Sequence, residues 1–140
     1  MKFIKIILIL LVLIVTNASS HYIIINKSNN VSKISKSEIR NIYLGNTITW
    51  KNNRKIQIVD YNSESELREE FSKSYLFLSP NKVSMIWLKV TLSGKVSPPK
   101  ILYKEKDVVK YVAENVDAIG YIESNKELID DVKIIEVDDN

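Results

Sequence analysis

"RNIYLGNTITWKNNRKI", residues 40–56, decides how the rest of the chain is read. Ile39, Ile42 and Tyr43 recur at helical spacing, and Ser35 with Glu38 just upstream forms the pattern of a capping box. Gly45 then stands where a helix C-terminus calls for a residue of positive φ. Trp50 follows, ahead of the polar cluster Asn52 to Lys55, and reads as a packing anchor. The segment "KIQIVDY" after it alternates as a strand does, with Ile56 and Ile58 on one face. Its residues by themselves therefore give a helix stop, a packing anchor and a strand entry.

Upstream, "YIIIN" at 22–26 is a short apolar run between polar residues, the mark of a buried strand, and "NKSNNVSK" is a polar linker. Downstream, Ser63-Glu64-Ser65-Glu66 reads as a second capping box, opening a helix from Ser63 through Leu67 and Phe71 to about Tyr75. Ser79-Pro80 supplies an N-cap and a proline at the first helical position. The following helix aligns Val83, Ile86, Trp87 and Val90 and stops at "SGK" before Pro98-Pro99. Val108, Val109 and Val112 mark another helix, then come strands "AIGYI" and "VKIIEV". Strands alternating with helices predict an α/β domain.

Met1–Ser20 is set apart from this domain. Lys2 and Lys5, an apolar run from Ile6 to Val15 and the small polar tail "TNASS" follow the order of a secretory signal peptide, cleaved after Ala18 or Ser20. The apolar run is too short to span a bilayer, so no membrane span is expected after cleavage. The organisation expected is a signal peptide over 1–20 and one domain over 21–140, in the periplasm or secreted.

The whole chain of 140 residues carries a net charge of +3, but without Lys2 and Lys5 the balance is 18 basic to 17 acidic side chains. The charges are interspersed with no basic stripe among aromatics, which argues against nucleic-acid binding. There is no cysteine, so the core rather than disulfides must stabilise the domain. His21 is the only histidine and reads as an incidental polar residue at the cleavage junction. With no second His and no Cys, metal sites and Cys–His or Ser–His nucleophiles are disfavoured. Glu69-Glu70 and Asp130-Asp131 are adjacent in sequence, which turns paired carboxyls apart rather than onto one cleft. No catalytic residue, metal or cofactor is expected, and an enzyme is disfavoured.

The best binding candidate is the start of the Ser63 helix. A helix N-terminus presents unpaired N–H groups to an anion, Ser63 and Ser65 add hydroxyls, and Arg68 lies one turn on. Glu64, Glu66, Glu69 and Glu70 crowd the same turns and oppose this, so plain capping competes with binding. Ser93, Gly94 and Lys95 form a weaker candidate, because a helix C-terminus presents carbonyls.

The motifs "LGNTITW", "SELREEF", "W…LSGKVSPP" and "AIGY" appear in that order. Their collinearity resembles the small single-domain relatives of the phosphate-binding component of phosphate ABC transporters, proteins of the type 2 periplasmic-binding fold. The resemblance covers nearly all of 22–123 and implies a mixed sheet flanked by helices. It also implies binding of phosphate or a similar oxyanion, with an ABC transporter membrane component as partner. The family's anion motif resembles Arg-x-x-x-Ser-Gly-Thr-(Arg)-x-x-Phe. Anchored on Arg68 and Phe71, Ser65 matches its Ser, whereas Glu66 replaces the Gly, Leu67 the Thr, and Tyr61 the leading Arg. The lobe that supplies the remaining ligands in the long proteins has no counterpart in this chain. These departures keep a second expectation open: a binding-fold module with a degenerate anion site, acting as an interaction or sensory accessory to another envelope protein.

Overall fold

A computed structural model describes residues 21–123 and 126–140; the expected signal peptide lies outside the described residues. The elements in chain order are β1 (His21–Ile25), β2 (Lys33–Ser35), α1 (Lys36–Tyr43), β3 (Gln57–Tyr61), α2 (Glu66–Phe71), α3 (Pro80–Leu92), β4 (Lys100–Leu102), α4 (Glu105–Glu114), β5 (Ala118–Glu123), β6 (Lys133–Ile134) and β7 (Glu136–Asp138). A five-stranded sheet runs β4-β3-β5-β1-β6, and β2 pairs with β7 in a second, two-stranded sheet. β3 is parallel to both β4 and β5, while β1 runs antiparallel to β5 and β6. This is the mixed sheet flanked by helices expected of the α/β class.

Residues 40–56 do what their spacing predicts. Ser35 Oγ accepts from Glu38 N and Glu38 returns a carboxylate to Ser35 N, closing the capping box of α1. At the other end Gly45 has φ +77. Asn46 N reaches Asn41 O at 2.8 Å and Gly45 N reaches Ile42 O at 3.1 Å, the paired bonds of a Schellman stop. Trp50 is buried, and its Nε1 donates to Asp117 O at 3.0 Å. Arg54 forks onto the Asp117 carboxylate beside it. The stretch thereby ties the entry of β3 to the entry of β5.

Helix α3 buries Val83 and Trp87, with Ile86 and Val90 half-buried. Trp87 Nε1 donates to Tyr43 O at 2.8 Å, satisfying one of the carbonyls left over at the end of α1. Gly120 lets α4 settle close on β5: a Cβ there would stand 3.0 Å from Val108 Cγ1.

Three expectations need correcting. Helix α2 begins at Glu66 with Ser65 as its N-cap, so Ser63-Glu66 is not a capping box; Ser63 lies in a turn closed by Ser65 N to Asn62 O at 3.0 Å. Beyond Phe71 the chain continues as a π-helical turn, Ser72–Leu76, and ends on Phe77 in the left-handed region. The run "VKIIEV" is two strands, because Ile135 N bonds to Ile23 O while the next amide, Glu136 N, bonds to Ser32 O. The chain thus crosses from one sheet to the other at a single residue. β2 falls at the end of what reads as a linker, and β4 follows the two prolines unannounced.

Candidate functional site

A cluster of buried polar groups lies where α2 packs on β3, with Ser84 of α3 reaching it from the side. Asp60, in phase with Ile56 and Ile58 along the strand, is buried. Its Oδ1 accepts from Tyr121 Oη at 2.6 Å and from Tyr61 N at 2.8 Å. Arg68, only 5% exposed, comes down from α2 to place Nε 3.6 Å from Asp60 Oδ2. Its Nη1 donates to Tyr61 O at 2.9 Å and its Nη2 to Ser84 Oγ at 3.2 Å. Tyr61 Oη in turn donates to Tyr121 O.

Burial pushes the Asp60 carboxyl above the usual carboxylate range, against the opposing pull of Arg68, the Tyr121 hydroxyl and the Tyr61 amide. Burial likewise raises the Tyr121 and Tyr61 hydroxyls, so both remain protonated donors. Of the five donors a guanidinium carries, hydrogen bonds take two. One N–H on each terminal nitrogen is left without a partner among the described residues.

Arg68 and Ser63 line the same groove, of about 510 Å³, bounded by α3 and by the edge of β4. Ser84, Trp87, Thr91 and Ile101 are among its other walls, and Thr91 Oγ1 has no hydrogen-bond partner among the described residues. Ser65 is not part of this lining; its Oγ accepts from Arg68 N at 3.3 Å and caps α2. Ser93 folds its hydroxyl back on Val90 O, Gly94 ends α3 at φ +74, and Lys95 lines a separate groove. The structure therefore brings Ser63 and Arg68 together and leaves Ser93, Gly94 and Lys95 elsewhere.

The network's other members, Asp60, Ser84 and Tyr121, escape the sequence reading. Asp60 carried a signal: a carboxylate in phase with Ile56 and Ile58 faces apolar surroundings and needs a partner. His21 also differs from its reading. It is buried at the start of β1 among Phe71, Tyr75 and Tyr121, with Nε2 3.7 Å from Glu70 Oε2. Burial lowers its pKa, against the pull of Glu70 and Glu123.

A further groove of about 520 Å³ takes Thr47, Thr49 and Trp50 from the opening stretch as one wall. Its charged lining is largely committed: Lys33 pairs with Asp138, and Glu38 closes the α1 capping box. Among the described residues there is no group of three His, Cys, Asp or Glu side chains able to hold a metal ion, and no helix long and apolar enough to cross a membrane.

No family model and no curated protein matches the chain. Solved structures do. An ABC-type phosphate transport receptor from Vibrio cholerae matches with a TM-score of 0.62 at 20% identity, over 85% of this chain and 46% of that one. The PstS protein of Borrelia burgdorferi matches with a TM-score of 0.68 at 15% identity, over 85% of this chain and 47% of that one. The chain thus has the fold of a part of these proteins and spans about half their length. At the level of fold, the resemblance carried by the ordered motifs is borne out.

Proposed function

We propose that this chain, sharing its fold with phosphate-transport binding proteins, is an extracytoplasmic solute-binding module for phosphate or a similar small oxyanion. The observation that carries the reading is Arg68: a buried cation lining a groove, with an N–H on each terminal nitrogen left to spare among the described residues. A guanidinium suits an oxyanion because its N–H fork matches two oxygens at once. Ser63 at the same groove offers a hydroxyl, while Ser65 acts through the cap that holds Arg68's backbone in place. Export by the Met1–Ser20 signal peptide and delivery to an ABC transporter membrane component belong to this reading.

Melting of the protein across millimolar phosphate, sulfate and carboxylates tests it. A ligand at a hundred times its dissociation constant adds about 2.7 kcal/mol of stability, so phosphate should raise the melting temperature by several degrees. A flat response to every anion overturns the reading.

A second reading rests on a different observation. Met85, Leu88 and Leu92 of α3 are exposed, Leu92 at 78%, and Leu88 also borders the Arg68 groove. An apolar stripe left in solvent on a helix that already buries another suits an accessory subunit docking on an envelope protein. Crosslinking in the native envelope that recovers only the monomer counts against it.

A further inference from the structure

The second groove on this side of the molecule has a different character. It measures about 420 Å³ and draws Lys55 from the approach to β3, Lys95 from the loop after α3 and Lys100 from the start of β4. Among the described residues no carboxylate lines it. Among the described residues none of the three lysines forms an ion pair, although Lys33, Lys36 and Lys73 elsewhere all do. Lys100 Nζ sits 5.8 Å from the centroid of the Tyr111 ring, a cation–π contact that holds its ammonium at the rim. Ser97 adds a hydroxyl, and Ile56 and Val96 give the floor apolar surface.

We propose that this groove is an anion site separate from that of Arg68, taking an organic ligand with two or more linked phosphate groups. Pro98 and Pro99 line both grooves, but Arg68 and Ser63 line only the first and the three lysines only the second. The number of cations selects the ligand. Each lysine is an exposed, strongly hydrated point charge, and one exposed ion pair contributes little. Three of them around one concavity, with no carboxylate to cancel them, sum to a field that a single small anion cannot span. A chain of linked phosphates carries a charge for each of them, and the apolar lining from Ile56 and Val96 accommodates the organic part. The Arg68 groove is the reverse case, with one cation, already partnered, suited to one compact anion.

Inorganic tripolyphosphate titrated calorimetrically into the full chain at low ionic strength is the test. Binding should be at least about tenfold tighter than that of orthophosphate and should weaken steeply with salt, as contacts between exposed charges do. Replacing one lysine by glutamine should weaken it about threefold, and the Lys55→Gln/Lys95→Gln/Lys100→Gln variant about thirtyfold. Lys89→Gln, an exposed lysine on α3 outside the groove, controls for net charge and should leave the affinity unchanged. All three groove lysines are exposed, so each single variant retains the fold and gives a result even if the triple variant does not. Equal affinity in the single variants and the native chain, or no binding of tripolyphosphate at all, overturns the proposal.

Discussion

Arg68 Nε stands 3.6 Å from Asp60 Oδ2 with both side chains almost wholly buried, so α2 is held to β3 by a charge pair inside the domain. A buried pair of this kind is costly to break from one side, because the survivor is left as an uncompensated charge. Asp60→Asn or Arg68→Met alone should therefore destabilise by about 3–5 kcal/mol in urea unfolding. The double variant should lose less than the two singles together. Full additivity would mean that the pair is not coupled. Because Arg68 also supports the fold, its variants test binding poorly, and Ser63 is the better probe.

Ser63 and Ser65 should separate cleanly. Ser65→Ala removes the N-cap of α2 and should cost about 1 kcal/mol whatever anion is present. Ser63→Ala, at an exposed turn position, should leave unfolding within about 0.5 kcal/mol of the native chain while reducing the melting shift produced by phosphate. Denaturation with and without phosphate reads both effects. An unchanged shift in Ser63→Ala removes that residue from the site.

Gly45→Ala should be among the more damaging surface-loop changes. Its φ of +77 suits glycine, and a Cβ would meet Trp87 and Val90 at 3.3 Å. The left-handed conformation costs a non-glycine residue about 1–2 kcal/mol, and crowding of the Trp87 ring adds to it. Thermal unfolding should show a loss of at least about 1 kcal/mol; a neutral result would mean that α1 can end differently.

His21 introduces a pH dependence. Its folded pKa lies below the ordinary 6.5, chiefly through burial, with Glu70 and Glu123 opposing. Above 6.5 neither state holds the proton, so the group contributes no slope. Below it the unfolded chain binds a proton that the folded chain resists, and stability falls as pH drops towards the folded pKa. The slope from one such group approaches about 1.4 kcal/mol per pH unit. Urea midpoints from pH 7.5 down to pH 5 should show this decline, and His21→Gln should flatten it. An unchanged profile in the variant would assign the slope to other groups.

The parts of the fold legible in the sequence are those whose signals are local. Ser35-Glu38, Gly45, Ser79-Pro80 and the Val83–Val90 stripe each act within a turn or two of helix, and each stands as read. The Ser63 helix is off by two residues because Ser63 carries the capping-box spacing to Glu66 while Ser65 is equally an N-cap residue type, and the turn at Asn62 selects Ser65. β4 and the break at Ile135 escape because a strand of two or three residues has too few side chains to establish a period. Its pairing is set by a neighbour far along the chain.

The binding candidates divide along the same line. By itself the sequence determined the α/β class, the helix caps, the freedom from disulfides and the clustering of serines and Arg68 near one helix start, all consequences of short-range propensity and composition. Only the tertiary structure decided that Arg68 turns inward to Asp60, that Ser63 rather than Ser65 shares its groove, and that Lys95 meets Lys55 and Lys100 instead. Burial, charge pairing and the walls of a groove depend on which distant segments are brought into contact, and packing of the whole chain sets those contacts.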